Sequence, residues 1–376
     1  MATIADLFPA TYAASRLRFR SYLDHIRARW PSARMVTRPL PTHHDLTLDW
    51  IEAEPLADKE KILVFTLGEH GIEGFVGSAM LHVFMVKFLP LLDPHTTGLA
   101  LVHAINPWGM HHRRRVNAAN VDLNRNFVWN ERDLDPTANP DYARICSYLN
   151  PRIPVESSLM SVVSFLGGLV RSSLRIGPRR MKTATLLGQY RFGRGVYFGG
   201  ETRQPETLAM MEIFKAALET YSQTLLLDIH TGYGPRPALS LVNSVYEKRS
   251  SKELKKAFGY RDVVKADPSE FYAIQGDMID YIYALARSTA PARRLYATSF
   301  EFGTFGHSFR SILRALRALI DENSLYWNGA GSDAAEARTR REFSEMFDPS
   351  DARWQANAVV KARLAFQGIL KAEGFM

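Results

Sequence analysis

The chain has 376 residues, 46% of them apolar, which is enough to bury one large α/β core or two ordinary ones and excludes a disordered polyelectrolyte. Its single cysteine, Cys146, excludes an intramolecular disulfide and any cysteine-built zinc site, and makes a reducing, cytoplasmic setting the expectation. Lys and Arg exceed Asp and Glu by 8, but the charges are dispersed; only Arg113, Arg114 and Arg115 cluster, with no aromatic-interleaved reading motif around them, which argues against nucleic acid as a partner.

The first thirty residues place Leu, Tyr and Phe among Arg in an amphipathic-helix pattern and lack the apolar core of an export signal, so residues 1–55 are expected as a helical and strand lead-in. Mostly continuous apolar runs predict strands at Lys61–Leu67, Leu99–Ile105, Thr224–Ile229, Ala238–Asn243 and Tyr296–Phe300. Three- and four-residue apolar spacing predicts helices at Phe75–Phe88, Glu206–Tyr221, Ser251–Phe258, Gly276–Ala286 and Ser308–Ile320. Residues 128–200 break this alternation and read as an insertion, a possible lid over a cleft. Its uncharged stretch Ser157–Val170 reads as a buried or lid-like helix, several residues short of a bilayer span, and no membrane contact is expected. Residues 345–376 end the chain in a helix with Trp354, Val359, Val360, Leu364 and Leu370 on its inner side. The pattern predicts a single α/β domain over 1–376, a mixed, mostly parallel twisted sheet flanked by helices.

In such sheets ligand sites gather beyond the carboxyl ends of the strands. Three predicted strand ends carry polar residues there: Gly-Glu-His70-Gly-Ile-Glu73, Asp-Ile-His230-Thr-Gly and Ser-Phe-Glu301-Phe-Gly. Two histidines and a carboxylate are a recurrent ligand set for catalytic zinc, with a further carboxylate as base. Each piece alone is weak, and a lone His70 is more often a turn or core residue. Their joint position at separate strand ends is what points to a metal site. Gly71 and Gly74 would then supply the flexible backbone that presents two ligands to one ion. Downstream of the second predicted strand, Asp122, Asn124, Arg125 and Asn126 form a polar segment in which Asn124 and Arg125 could hold a substrate carboxylate; a solvated turn is the alternative.

With these residues in order, the chain resembles the zinc carboxypeptidase family of the carboxypeptidase A type, and within it a bacterial branch sharing the wording HGIEGFVGSA, from about Lys61 to Phe305 apart from the insertion. It is more distantly similar to succinylglutamate desuccinylase and aspartoacylase. The resemblance implies one zinc per chain on His70, Glu73 and His230, Glu301 as the catalytic carboxylate, Asp122 as the carboxylate behind His70, and Asn124 and Arg125 on the substrate carboxylate. The family's mobile tyrosine falls on Tyr272 of Tyr272-Ala-Ile-Gln-Gly276-Asp-Met-Ile-Asp280, and Ile279 falls in its specificity pocket, implying an apolar terminal residue. Its carbonyl-polarising arginine falls on Arg115, with Arg114 the alternative, because the local wording departs from the family's. The implied fold is zinc-carboxypeptidase-like, of the phosphorylase/hydrolase type. The implied activity is hydrolysis of a small peptide next to its free carboxylate; an acyl-amino-acid substrate is the runner-up, and a non-catalytic peptide or nucleic-acid binder with a vestigial site the third reading. The sequence leaves the oligomeric state open.

Overall fold

The computed structural model describes residues 4–266 and 275–376. Among these, eight strands form one sheet: β1 (Arg34–Leu40), β2 (His43–Ala53), β3 (Lys61–Leu67), β4 (Thr97–His103), β5 (Gln223–Thr231), β6 (Leu239–Asn243), β7 (Val263–Lys265) and β8 (Arg294–Phe302). Their order is β1-β2-β4-β3-β5-β8-β6-β7. The centre, β4-β3-β5-β8, is parallel, as is β6 with β7; β1 with β2, β2 with β4 and β6 with β8 are antiparallel. The fold is therefore the mixed, mostly parallel α/β sheet read from the apolar runs. The β1–β2 hairpin and the three-residue β7 carry no such run.

The helices are α1 (Tyr12–Arg27), α2 (Gly74–Lys87), α3 (Pro107–His111), α4 (Pro140–Leu149), α5 (Leu159–Ile176), α6 (Pro178–Leu187), α7 (Pro205–Thr220), α8 (Ser251–Phe258), α9 (Met278–Thr289), α10 (Phe309–Asn328), α11 (Asp333–Phe347) and α12 (Ala352–Ala372). Side-chain alternation along β3 sorts the two cores. Leu63, Phe65 and Leu67 join one with α1, α2 and α12, while Ile62 and Val64 join the other with α7 and α9. In the first core the Phe366 ring lies 5.9 Å from Phe65 and edge-on at 5.6 Å to Phe84, so Phe366→Ala would cost about 3–5 kcal/mol. At the amino end α1 is fastened to β2 through buried Asp49, which accepts from Arg16 Nε at 3.0 Å and Arg20 Nε at 2.8 Å.

Two features of this topology place the site. From β3 the chain crosses through α2 to β4 on one side, whereas β5 lies on the other side of β3, so the β3/β5 boundary is the switch point where a crevice opens beyond the carboxyl ends. Residues 128–200 contribute α4, α5 and α6, which pack together around Tyr142, Ile145, Ile176 and Met181 and against Ile320 of α10. Among the described residues two segments are long and apolar enough to cross a membrane: Gly71–Leu91, 72% buried in the core, and Leu159–Ile176, only 11% buried. Of the two readings of the 157–170 stretch, buried or lid-like, the second segment overturns the buried one, because its apolar residues are divided between an inner face and an outer one.

Candidate active site and metal centre

Beyond β3, His70 and Glu73 flank a single 3-10 turn, and both side chains are buried. His230 sits near the end of β5, in register with Glu301 on neighbouring β8. The ligand atoms of His70, Glu73 and His230 lie within 4.8 Å of one another. Both imidazoles aim Nδ1 at Glu73: His70 Nδ1 is 2.9 Å from Oε1 and His230 Nδ1 is 3.1 Å from Oε2. Each turns its other nitrogen to an aspartate, His70 Nε2 to Asp122 at 3.1 Å and His230 Nε2 to Asp228. That is the tautomer-fixing arrangement of metal-bound histidines. His70 Nδ1 is buried and its contact with Glu73 lacks hydrogen-bond geometry, so the donor set fits a divalent cation: two imidazole nitrogens and one carboxylate facing one point.

The electrostatics follow from burial. Burial raises a carboxyl, but the facing imidazoles of His70 and His230 more than offset it and bring Glu73 down to about 2. Burial likewise opposes ionisation of Asp122, yet Arg115, Arg125 and His70 hold it well below the usual carboxylate range. Glu301 is pushed up to about 8, chiefly by burial, with His230 opposing and the charges of Glu73 and Asp228 adding. Glu69, beside His230 Nε2 at 3.4 Å, is raised well above its ordinary value, again by burial first, and neither of its oxygens has a hydrogen-bond partner.

Some of these groups open onto a cavity of about 660 Å³. His70, Glu73, Arg115, Asn124, Ile279 and Glu301 reach its wall. Arg115 is held by Asp122, the same carboxylate that faces His70. Arg114 turns away: it pairs with Glu322 at 2.6 Å and stacks 3.7 Å over the ring of Tyr326. Arg125 is not on the wall either, contrary to the expectation that it grips a substrate carboxylate. It is 1% exposed, donates to the carbonyls of Asn124 and Leu186 at 3.0 Å each, and lies under the Tyr197 ring. The insertion clamps it there, since a Cβ on Gly188, at φ +92°, would lie 2.7 Å from Arg125 Cδ. Among the described residues, Lys182 of α6 is the other Lys or Arg on the wall besides Arg115. Ile279 shares its part of the wall with Ser244, Asp277 and Asp280, so the surroundings there are mixed, not apolar. Tyr272 lies outside the described residues.

Gly71 and Gly74 act by closeness, not by unusual backbone angles; the positive φ in this loop, +69°, belongs to Gly68. A Cβ on Gly71 would meet the backbone of Gly109 in α3 at 2.1 Å. The loop is then laced to the arginine segment by Gly71 N–H to Arg115 O at 3.2 Å and Ile72 N–H to Arg114 O at 2.9 Å. Asp228 was missed by sequence reasoning, although its signal is simple: two residues before His230 in a strand, it must point the same way.

Among solved structures, the chain is similar to carboxypeptidase A from Helicoverpa armigera, with 15% identity, 87% of this chain and 72% of that one covered, and TM-score 0.44. It is similar to the murein-tripeptide amidase of Escherichia coli O157, with 17% identity, 77% and 92% covered, and TM-score 0.36. A third similarity is to a protein described as of the succinylglutamate desuccinylase / aspartoacylase family from Shewanella amazonensis SB2B, with 17% identity, 77% and 72% covered, and TM-score 0.39. No curated protein matches the chain. The family described as "Protein of unknown function (DUF2817)" matches residues 8–361, and the chain belongs to that family.

Proposed function

We propose that the chain is a zinc-dependent amide hydrolase of the carboxypeptidase type, cleaving the bond next to a free carboxylate in a small peptide. The observation that carries this reading is the convergence of His70, Glu73 and His230 on one point, with His70 and Glu73 on the wall of the cavity that Glu301 also lines. A zinc ion held by the two Nδ1 nitrogens and Glu73 would supply Lewis acidity and a water acidified towards neutral pH. Glu301, on the cavity wall with His70 and Glu73, takes up a proton from the attacking water and returns it to the departing amine. Arg115, fixed by Asp122, meets the negative charge that gathers on the carbonyl oxygen. Asn124 offers its side-chain amide to the substrate carboxylate, and Lys182 offers the positive charge that Arg125 does not. Tyr272 is proposed to close over the substrate.

The test pairs metal analysis with a panel of dipeptides bearing apolar, acidic and amine-bearing terminal residues, since Ile279 and Asp280 favour different ones. One zinc per chain, lost in His70→Ala, is the expected result. Full activity in a metal-stripped chain would sink the reading. A second reading, N-acyl-amino-acid deacylase, is favoured by the cavity wall itself, where Leu169, Met181, Leu313, Leu316 and Leu319 offer an acyl chain an apolar surface. Acyl-amino acids hydrolysed faster than every dipeptide would select it.

A further inference from the structure

Helix α5 carries two apolar faces where a surface helix needs one. Its inner face docks: Phe165 packs 5.7 Å from the Tyr148 ring of α4, a Cβ on Gly168 would meet Tyr148 at 2.5 Å, and Ser172 and Ile176 are buried. The outer face is a single stripe, Leu159, Val163, Leu166, Val170 and Leu174, at i, i+4, i+7, i+11 and i+15. These five side chains are between 44% and 84% exposed. Contiguous apolar surface of this kind marks an interaction site.

The charge around the stripe says what covers it. Residues 157–200 contain six arginines, one lysine and no Asp or Glu. Arg171, Arg175, Arg179 and Lys182 are exposed, and none forms an ion pair among the described residues. Two acids beside this group are already taken, Asp141 by Arg144 and Arg180, and Asp321 by Arg317 and Arg338, and Glu156 stands apart at the amino end of the helix. A second copy of the chain, brought face to face by a twofold axis, would set this basic group against itself. An anionic lipid surface satisfies both features at once, the stripe entering the acyl boundary and the guanidiniums meeting phosphates. The helix lies along the surface and does not span it, because its inner face stays packed on the protein through Phe165, Ser172 and Ile176.

We propose that the outer face of α5, with Arg171, Arg175 and Arg179, is a docking surface for anionic phospholipid membranes. The consequence for the cleft is positional, because α5 also supplies Leu169 and Ser173 to the cavity wall, and Phe309 and Ile312 on that wall are exposed. A docked molecule holds its cavity mouth beside the lipid.

The test sediments the full-length protein with vesicles of phosphatidylcholine alone and of phosphatidylcholine mixed with phosphatidylglycerol. Binding to the mixed vesicles, weakened by added salt, is expected. Arg171→Gln with Arg175→Gln should lower the partition coefficient about thirtyfold at low salt. Leu166→Ser, Val170→Ser and Leu174→Ser together should lower it at least about tenfold. All five positions are exposed, so unchanged melting temperatures keep the variants comparable. No binding to mixed vesicles, or binding indifferent to both variants, overturns the proposal. So does a dimer that dissociates in the serine variant while the parent ignores lipid, which would assign the stripe to a second copy. Binding is measured without substrate, so it stands or falls apart from the hydrolase reading.

Discussion

Asp228→Asn keeps the volume of a side chain that is wholly buried and removes its charge. In the parent, Asp228 uses Oδ1 to accept from Thr66 Oγ1 at 2.6 Å and Oδ2 to face His230 Nε2. An asparagine has one carbonyl oxygen for these two donors, so one buried donor is left poorly paired, at a cost of about 1–3 kcal/mol. If the loser is His230, its ring is no longer held with Nδ1 towards Glu73, and zinc affinity falls about tenfold. Asp228→Ala removes both acceptors and should approach a hundredfold, or about 2.7 kcal/mol. Competition against a chromophoric chelator at neutral pH reads the affinity. A melting curve of the metal-free protein separates lost affinity from lost fold. Affinities in both variants within about twofold of the parent would refute the idea that Asp228 orients His230.

Glu301→Gln should retain its zinc and lose amide hydrolysis by about 10²–10⁴-fold in kcat, because a glutamine cannot carry the proton; metal analysis beside a rate assay checks it. Arg115→Ala should cost about 10²–10³-fold in kcat. Arg114→Ala should lower the melting temperature through its lost pair with Glu322 and leave kcat nearly unchanged. Glu206 is buried and raised to about 7, by burial first, with Asn117 opposing. Below pH 4.5 it is protonated folded or unfolded; between 4.5 and about 7 only the folded chain keeps the proton, so stability falls as pH rises through that window, by about 3 kcal/mol. In Glu206→Gln that loss should vanish, as urea unfolding at several pH values will show. Asp49→Ala strands Arg16 and Arg20, but both can still reach water, so about 2 kcal/mol is expected, below the cost of breaking a fully buried pair.

The strands that carry these candidate ligands were legible because burial on both faces favours long, mostly apolar runs, as in Ile62–Phe65 of β3 and Leu225–Leu227 of β5, while β8 has a run broken by Thr298 and Ser299. The β1–β2 hairpin was folded into a vague lead-in because β1 is a half-exposed edge strand carrying Arg34, Arg38 and Pro39. His70, Glu73, His230 and Glu301 were readable as strand-end residues, and the chain order of the parallel strands suffices to bring them together. The destination of each arginine was not. Arg114, Arg115 and Arg125 are alike in sequence, and what parts them is Glu322 over two hundred residues away, the shared Asp122, and the carbonyl of Leu186 in the insertion. The 157–170 stretch shows the limit of composition: apolar content says a helix dislikes water, and only the packing of Tyr148 and Phe165 shows which side has been satisfied.

The backbone bonds from Gly71 and Ile72 to Arg115 and Arg114 have a mechanical consequence. Long side chains such as arginine usually owe their position to rotamer choice, and their tips wander. Here the main chain beneath Arg115 is tied to the main chain between His70 and Glu73, and Gly71 seated against Gly109 leaves no room for the two segments to slide. Arg115 and the His70–Glu73 pair therefore move as one rigid body. A disturbance that shifts α3 would displace both together and spare their mutual spacing, whereas a side chain placed at position 71 or 109 would pry that spacing open without touching a single ligand.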